Sequence, residues 1–81
     1  RAEVFNNLGI LAKTQGKTHE ALQWLRRSVE VDSTYARGYF NLAALYAAMG
    51  NTAAATEALR HAARLGYLPA REQLKQSATN Q

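Results

Sequence analysis

The chain has 81 residues, a formal net charge of +4 and no cysteine. This length allows one small domain, and the composition excludes a disulfide framework and thiol chemistry. The ten lysine and arginine residues are spread along the chain rather than gathered in a basic tract, and no apolar run approaches the ~20 residues of a membrane span.

The ends of the sequence carry little information about targeting. The chain begins with Arg1 rather than methionine, so we expect a processed chain or a piece of a longer one. No signal peptide is visible. A cytoplasmic location is favoured, although no residue decides the compartment.

The first predicted helix spans Ala2 to Thr14. Gly9 has no side chain and would allow a neighbouring helix to approach closely, and Gly16 suits the left-handed conformation that ends a helix. Apolar residues recur at helical spacing and predict one buried face, made of Val4, Phe5, Leu8, Leu11 and Ala12.

The second predicted helix spans His19 to Val31, with Thr18 as its N-cap. Asp32, Ser33 and Thr34 end it, because their side chains compete for backbone hydrogen bonds. Its predicted inner face consists of Ala21, Leu22, Trp24, Leu25, Ser28, Val29 and Val31.

Two further helices repeat this arrangement. The third spans Ala36 to Met49, and the fourth spans Ala53 to Leu65 with Thr52 as its predicted N-cap. Gly50 marks the turn between them. The third helix is predicted to bury Tyr39, Leu42, Ala43, Leu45 and Tyr46.

A fifth helix is predicted from Pro69 to Ala78, because proline fits the first turn of a helix. It has one narrow apolar stripe, formed by Ala70, Leu74 and Ala78, on an otherwise polar surface. Such a helix is typical of a cap that closes a helical array, so we expect a native end here. Residues 79–81 are predicted to fray.

The sequence repeats itself at an interval of 34 residues: Asn7-Leu8-Gly9 returns as Asn41-Leu42-Ala43. A fixed period of this length indicates stacked units of supersecondary structure. The matching positions are mostly apolar or small, and the pairs include Phe5/Tyr39, Leu11/Leu45, Gly16/Gly50, Ala21/Ala55, Leu25/Leu59 and Ser28/Ala62.

These residues resemble the tetratricopeptide repeat, a helix-turn-helix unit of about 34 residues with an aromatic, a Leu-Gly pair and a turn glycine at fixed places. The resemblance covers residues 2 to about 67. It departs from the family where Ser33 replaces the usual proline and where Pro69 comes late. It implies one all-α domain over 1–81, a right-handed solenoid with repeats at 2–35 and 36–67 and a cap helix at 68–79.

No catalytic constellation stands out in the sequence. His19 and His61 have no partner at metal-ligand spacing, and we expect both to be solvated surface residues. The carboxylates are scattered, and no glycine-rich phosphate loop is present. The sequence therefore predicts a protein that is not an enzyme, with no catalytic residue, metal site or cofactor.

The family resemblance also implies where a partner would bind. In tetratricopeptide proteins the first helix of each repeat lines a concave groove that holds a peptide or a partner helix. The implied groove residues are Asn6, Asn7, Ile10, Lys13, Arg37, Phe40, Asn41 and Ala44. Asn7 and Asn41 would bind peptide backbone. Phe40 is either a binding anchor in the groove or a residue that packs against the cap helix.

Two other surfaces are candidate binding sites. In strict 34-residue register Asn41, Arg71 and Lys75 match part of the family's carboxylate clamp, but Asn6 and Ile10 do not. The apolar stripe of the fifth helix fits better if the loop before it is two residues shorter, which would turn Arg71 and Lys75 away from the groove, so a clamp is disfavoured. The outer helices carry Arg26, Arg27, Arg60, His61 and Arg64. No aromatic residues were expected among these basic residues, so the row is predicted to be a solvated face rather than a nucleic-acid or membrane contact.

The sequence thus predicts a module that binds a protein or peptide partner in the groove. Lys13 and Arg37 would favour an acidic partner, offset by Glu3. The alternative is a segment that forms a homodimer or docks within a larger protein. In that alternative Val4, Ile10 and Leu11 would be exposed for lack of a preceding repeat.

Overall fold

The computed structural model describes residues 1–79, and their side chains as far as Ala78. This part of the chain is all α-helical, as predicted. The helices are α1 (Ala2–Thr14), α2 (Thr18–Val31), α3 (Ala36–Ala48), α4 (Thr52–Arg64) and α5 (Leu68–Thr79). Of the three residues predicted to fray, Thr79 is the last residue of α5, and positions 80 and 81 lie outside the described residues. No helix within 1–79 is long and apolar enough to cross a bilayer.

The helices α2 and α4 each begin one residue earlier than predicted, because the capping residue is also one position earlier. Thr18 and Thr52 are the first helical residues rather than N-caps, and the capping positions belong to Lys17 and Asn51. The Asn51 side chain accepts a hydrogen bond of 3.2 Å from the Ala54 amide. The amide oxygen of an asparagine can satisfy a free N–H at a helix start, whereas a lysine has no acceptor to offer.

Three turns share one construction. Gly16 has φ +78°, and the amide of Lys17 bonds back to the Ala12 carbonyl at 2.9 Å. The same pattern follows α3, where the Asn51 amide reaches Tyr46, and follows α4, where the Tyr67 amide reaches Ala62. A left-handed glycine permits this bond at no steric cost. The predicted helix-ending role of Gly16 is therefore confirmed.

The helices pack closely because small residues line their contacts. A Cβ added to Gly9 would lie 2.7 Å from the Leu25 side chain, as predicted for a close approach. Gly38 has the same role against α2, since its Cβ would lie 2.6 Å from Oγ of Ser28. The core consists of Ala12, Ala21, Leu22, Leu25, Leu42, Ala43, Leu45, Ala58, Leu59, Ala62 and Ala70.

The predicted inner faces are wrong at three positions, and the predicted stripe of α5 is wrong at one. Val4, Leu11 and Val31 are 56%, 54% and 51% exposed, and Ala78 is exposed. Val4 and Leu11 match Gly38 and Leu45 of the second pair, which are buried. In the second pair α2 covers this side of α3, whereas in the described chain no helix precedes α1.

Candidate peptide-binding groove

The first helices of the two pairs, α1 and α3, contact each other and together present one surface, which we call the α1–α3 surface. Five of the predicted groove residues are exposed on these helices, namely Asn7, Ile10, Lys13, Arg37 and Ala44, and two are half-buried, namely Phe40 and Asn41. Their binding role stays a prediction.

Asn6 is not accessible. Its side chain is 2% exposed, and its Oδ1 accepts a hydrogen bond of 2.9 Å from Nδ2 of Asn41. A buried amide needs such a partner, because leaving it unpaired is costly. The prediction that Asn6 lines the groove is therefore wrong, since this residue joins α1 to α3.

Phe40 lies where α3 meets the start of α5. Its ring centroid is 5.1 Å from that of Tyr67, the residue before α5, at a tilt of 57°. Arg37 lies one turn earlier, and the hydroxyl groups of Tyr67 and then Tyr35 raise the pKa of its guanidinium. Within the described chain the buried Tyr35 hydroxyl has no partner at full hydrogen-bond geometry. This ring contact beside the cap agrees with the packing role expected for Phe40, and its role as a binding anchor stays a prediction.

An opening of about 250 Å³ lies between α3, α4 and α5; we call it the α3–α5 cleft. Polar residues stand there at two places that leucines occupy in the first interface: Thr56 lies 34 positions after Leu22, and Ser77 lies 32 positions after Leu45. Its lining combines alanines and one leucine with threonine, glutamine and serine side chains. The lining residues are Ala43, Ala44, Ala47, Thr52, Ala55, Thr56, Leu59, Gln73 and Ser77.

Gln73 and Ser77 belong to this site and were not predicted. A shift shorter by two positions than the repeat period aligns Tyr35 with Tyr67 and Leu42 with Leu74. In that register Gln73 is the counterpart of Asn41. The spacing is shorter because α4 is one residue shorter than α2, and the turn after α4 is one residue shorter than the loop after α2. The length of this turn was the signal that could have found them.

Two family models match the chain. One is described as a TPR repeat and matches residues 13–50, and the other is described as a tetratricopeptide repeat and matches residues 36–65. Together they cover more than half of the chain. The chain belongs to the tetratricopeptide repeat family.

Solved structures agree with this assignment. The tetratricopeptide chain matches a crystal structure of MamA with a TM-score of 0.80 and 27% sequence identity. The match covers 85% of this chain but 42% of the MamA chain, so this chain spans less than half of that protein. No curated protein matches by sequence.

Family membership supports a general role. Tetratricopeptide repeats mediate protein–protein interactions and generally act as non-catalytic scaffolds. Within residues 1–79 no group of three His, Cys, Asp or Glu residues could hold a metal ion. Members of the family generally bind protein partners.

Arg71, which the sequence matches to the carboxylate clamp of some tetratricopeptide proteins, makes a contact with α4. Nε of Arg71 donates a hydrogen bond of 2.9 Å to the carbonyl of Ala63, near the end of α4. This bond holds Nε of Arg71 at the end of α4, and a clamp role for this residue stays disfavoured.

Aromatic residues do accompany the basic row of this tetratricopeptide chain, contrary to the prediction. The Arg27 guanidinium lies 5.2 Å from the centroid of the Phe5 ring, and Nε of Arg26 donates to the Tyr46 hydroxyl at 3.2 Å. The His61 ring stacks on Tyr39 at 3.8 Å.

His61 is consequently half-buried and not solvated as predicted, whereas His19 is exposed. Arg60 and Arg64 line an open depression along α4. One helix alone forms that depression, so it cannot enclose a ligand.

Proposed function

We propose that this chain binds an extended peptide segment of a partner protein across the α1–α3 surface. One apolar side chain of the peptide would enter the α3–α5 cleft. The observation that carries this proposal is the cleft itself, because its apolar and polar lining residues combine apolar contact with groups that fix orientation.

The side chains of the α1–α3 surface suit a peptide backbone. Asn7 is fully available, and Asn41 keeps its Oδ1 for a peptide N–H because only its Nδ2 is bonded to Asn6. Ile10 and Phe40 offer apolar contact. Lys13 and Arg37 favour acidic residues in the peptide, and Glu3 at the other end of α1 opposes them.

The test uses two neighbouring alanines of α3, both exposed. Peptides selected from a displayed random library would be titrated by calorimetry against the Ala47→Phe and Ala48→Phe variants. Ala47 lines the cleft and Ala48 does not. We expect affinity to fall at least about tenfold, or about 1.4 kcal/mol, in Ala47→Phe and to be unchanged in Ala48→Phe. Equal affinity in both variants would overturn the proposal that the peptide enters the α3–α5 cleft.

A second candidate function is assembly through the uncovered side of α1. Val4 and Leu11 are more than half exposed, and the side of α3 that corresponds to them is covered by α2. We propose that a helix of a second copy, or of a larger parent protein, covers this side.

Sedimentation equilibrium from micromolar to millimolar concentration separates the two functions. A dimer that is lost in Leu11→Glu and kept in Ile10→Glu would support assembly through this side of α1. A monomer throughout would contradict homodimerisation and leave the α1–α3 surface free for a foreign peptide.

A further inference from the structure

A second opening of about 240 Å³ lies between α3 and α4, and we call it the outer cleft. It shares no lining residue with the α3–α5 cleft. Aromatic, apolar and acidic side chains surround it. The lining residues are Tyr39, Leu42, Tyr46, Ala54, Glu57, Ala58 and His61.

Comparison of the two helix pairs explains why this space is open. In the first pair Trp24 stacks on Phe5, with ring centroids 5.7 Å apart and planes 15° apart. In the second pair Tyr39 corresponds to Phe5, but Ala58 corresponds to Trp24. The His61 ring stacks on Tyr39, and the space that corresponds to the indole of the first pair is open.

Tyr46 compensates only in part. It replaces Ala12 of the first pair and so adds a ring near the space that Trp24 would fill. Its hydroxyl, however, accepts the hydrogen bond from Nε of Arg26 on α2. The phenol thus becomes one wall of the outer cleft, and the opening remains.

The walls define the chemistry of an occupant. The Tyr39 and His61 rings are nearly parallel, 7° apart, and Leu42, Ala54 and Ala58 add apolar surface. Glu57 is exposed at the edge and can accept a hydrogen bond. The volume is below the ~300–1,000 Å³ of pockets for drug-sized ligands, which suits a single side chain. Arg26 beside the cleft and the net charge of +4 oppose a cationic occupant.

We propose that the outer cleft binds a tryptophan side chain of a partner protein. The indole packs against Leu42, Ala54 and Ala58 beside the stacked Tyr39 and His61 rings, as Trp24 packs on Phe5, and its N–H donates to the Glu57 carboxylate. This site is separate from the groove, so a partner could engage either surface alone or both together.

The experiment is an NMR titration of the whole chain with N-acetyl-tryptophanamide at millimolar concentrations. We expect saturable shifts of the Tyr39, Tyr46 and His61 ring signals, and no shifts around Gln73 in the other cleft. N-acetyl-leucinamide should bind at the same signals with an affinity at least tenfold lower than that of the tryptophan amide. The proposal would be overturned if the tryptophan amide caused no shifts. It would also be overturned if butylguanidinium, a cationic analogue of the arginine side chain, bound as tightly as the tryptophan amide.

Variants of α4 provide the matched control. Ala54→Leu narrows the outer cleft, whereas Ala53→Leu places the same side chain on an exposed position outside it. Binding should weaken at least tenfold in the first variant and stay unchanged in the second. Ala58→Trp supplies the indole from within and should also abolish binding. Equal binding in the two leucine variants would contradict the site even if Ala58→Trp does not fold.

Discussion

The side-chain amide of Asn41 donates a 2.9 Å hydrogen bond to Oδ1 of Asn6, which lies far earlier in the chain. The bond joins the first helix of one pair to the first helix of the next. Asn6 is buried and Asn41 is half-buried, so water cannot readily replace either partner. This amide pair helps to fix how the two helix pairs stack.

Replacing Asn6 with alanine should lower the free energy of unfolding by about 1–2 kcal/mol, because the Asn41 amide loses its buried partner. The double variant Asn6→Ala/Asn41→Ala should cost less than the sum of the single changes, with a coupling of about 0.5–1.5 kcal/mol. Urea denaturation of the four proteins measures this coupling. Strictly additive costs would mean that the bond contributes nothing to stacking.

Gly38→Ala should destabilise the chain, although alanine normally stabilises a helix by about 1 kcal/mol relative to glycine. The new Cβ would lie 2.6 Å from Oγ of Ser28 and 2.7 Å from Cγ1 of Val29. We expect a loss of about 1–3 kcal/mol from overpacking, measured by thermal unfolding. Val29→Ala in the same chain should recover part of the loss. A gain in stability for Gly38→Ala would refute the close approach.

Substitutions at the N-caps of α2 and α4 should have opposite effects on the stability of the chain. Asn51→Ala removes the bond to the Ala54 amide and should cost about 0.5–2 kcal/mol. Lys17→Asn should add the missing cap to α2 and stabilise the chain by roughly 0.5–1 kcal/mol. The lost contact of Lys17 with Glu20 is long, at 4.0 Å, and exposed, so it offsets little. Denaturation midpoints of the two variants should move in opposite directions.

Asp32 should contribute to stability above its unfolded pKa of about 3.9. The hydroxyl and then the backbone amide of Thr34 donate to its carboxylate at 2.6 and 2.9 Å and lower the pKa of Asp32. A lowered folded pKa means that this contribution is present above the unfolded pKa and is lost as pH falls through the folded pKa.

Thr34→Val removes the hydroxyl and should raise the pKa of Asp32 toward its ordinary value, as followed by NMR titration of the carboxyl carbon. Ser33→Ala in the same loop is the control and should leave this pKa unchanged. An equal pKa in the two variants would contradict the role of the Thr34 hydroxyl.

Much of the fold could be predicted because it rests on local patterns. The repeat period predicts the helix pairs, and glycines at corresponding places predict the turns. Gly16 and Gly50 both have a positive φ, as such positions require. The predicted ends of all five helices lie within one residue of the observed ones, because each end depends on residues close by in the sequence.

The site was harder to predict because its contacts are distant in the sequence. Asn6 has the spacing of an exposed residue and is buried only because Asn41 reaches it from the next pair. His61 was expected on an outer face, and its stacking on Tyr39 follows from a contact between two different helices. Phe5 and Arg27 occupy the corresponding positions of the first pair, and their contact likewise joins two different helices.

Each helix packs chiefly on the helices before and after it in the chain, and the α1–α3 contact is the main exception. A chain with such local contacts closes only short loops as it folds, and it should fold quickly for its stability. The stability of such an array is the sum of the contributions of its units and of the interfaces between neighbours. A substitution that disrupts α5 should therefore destabilise α4 most and α1 least. Such an array can therefore gain or lose whole helix pairs at its end while the contacts among the remaining helices stay as they are.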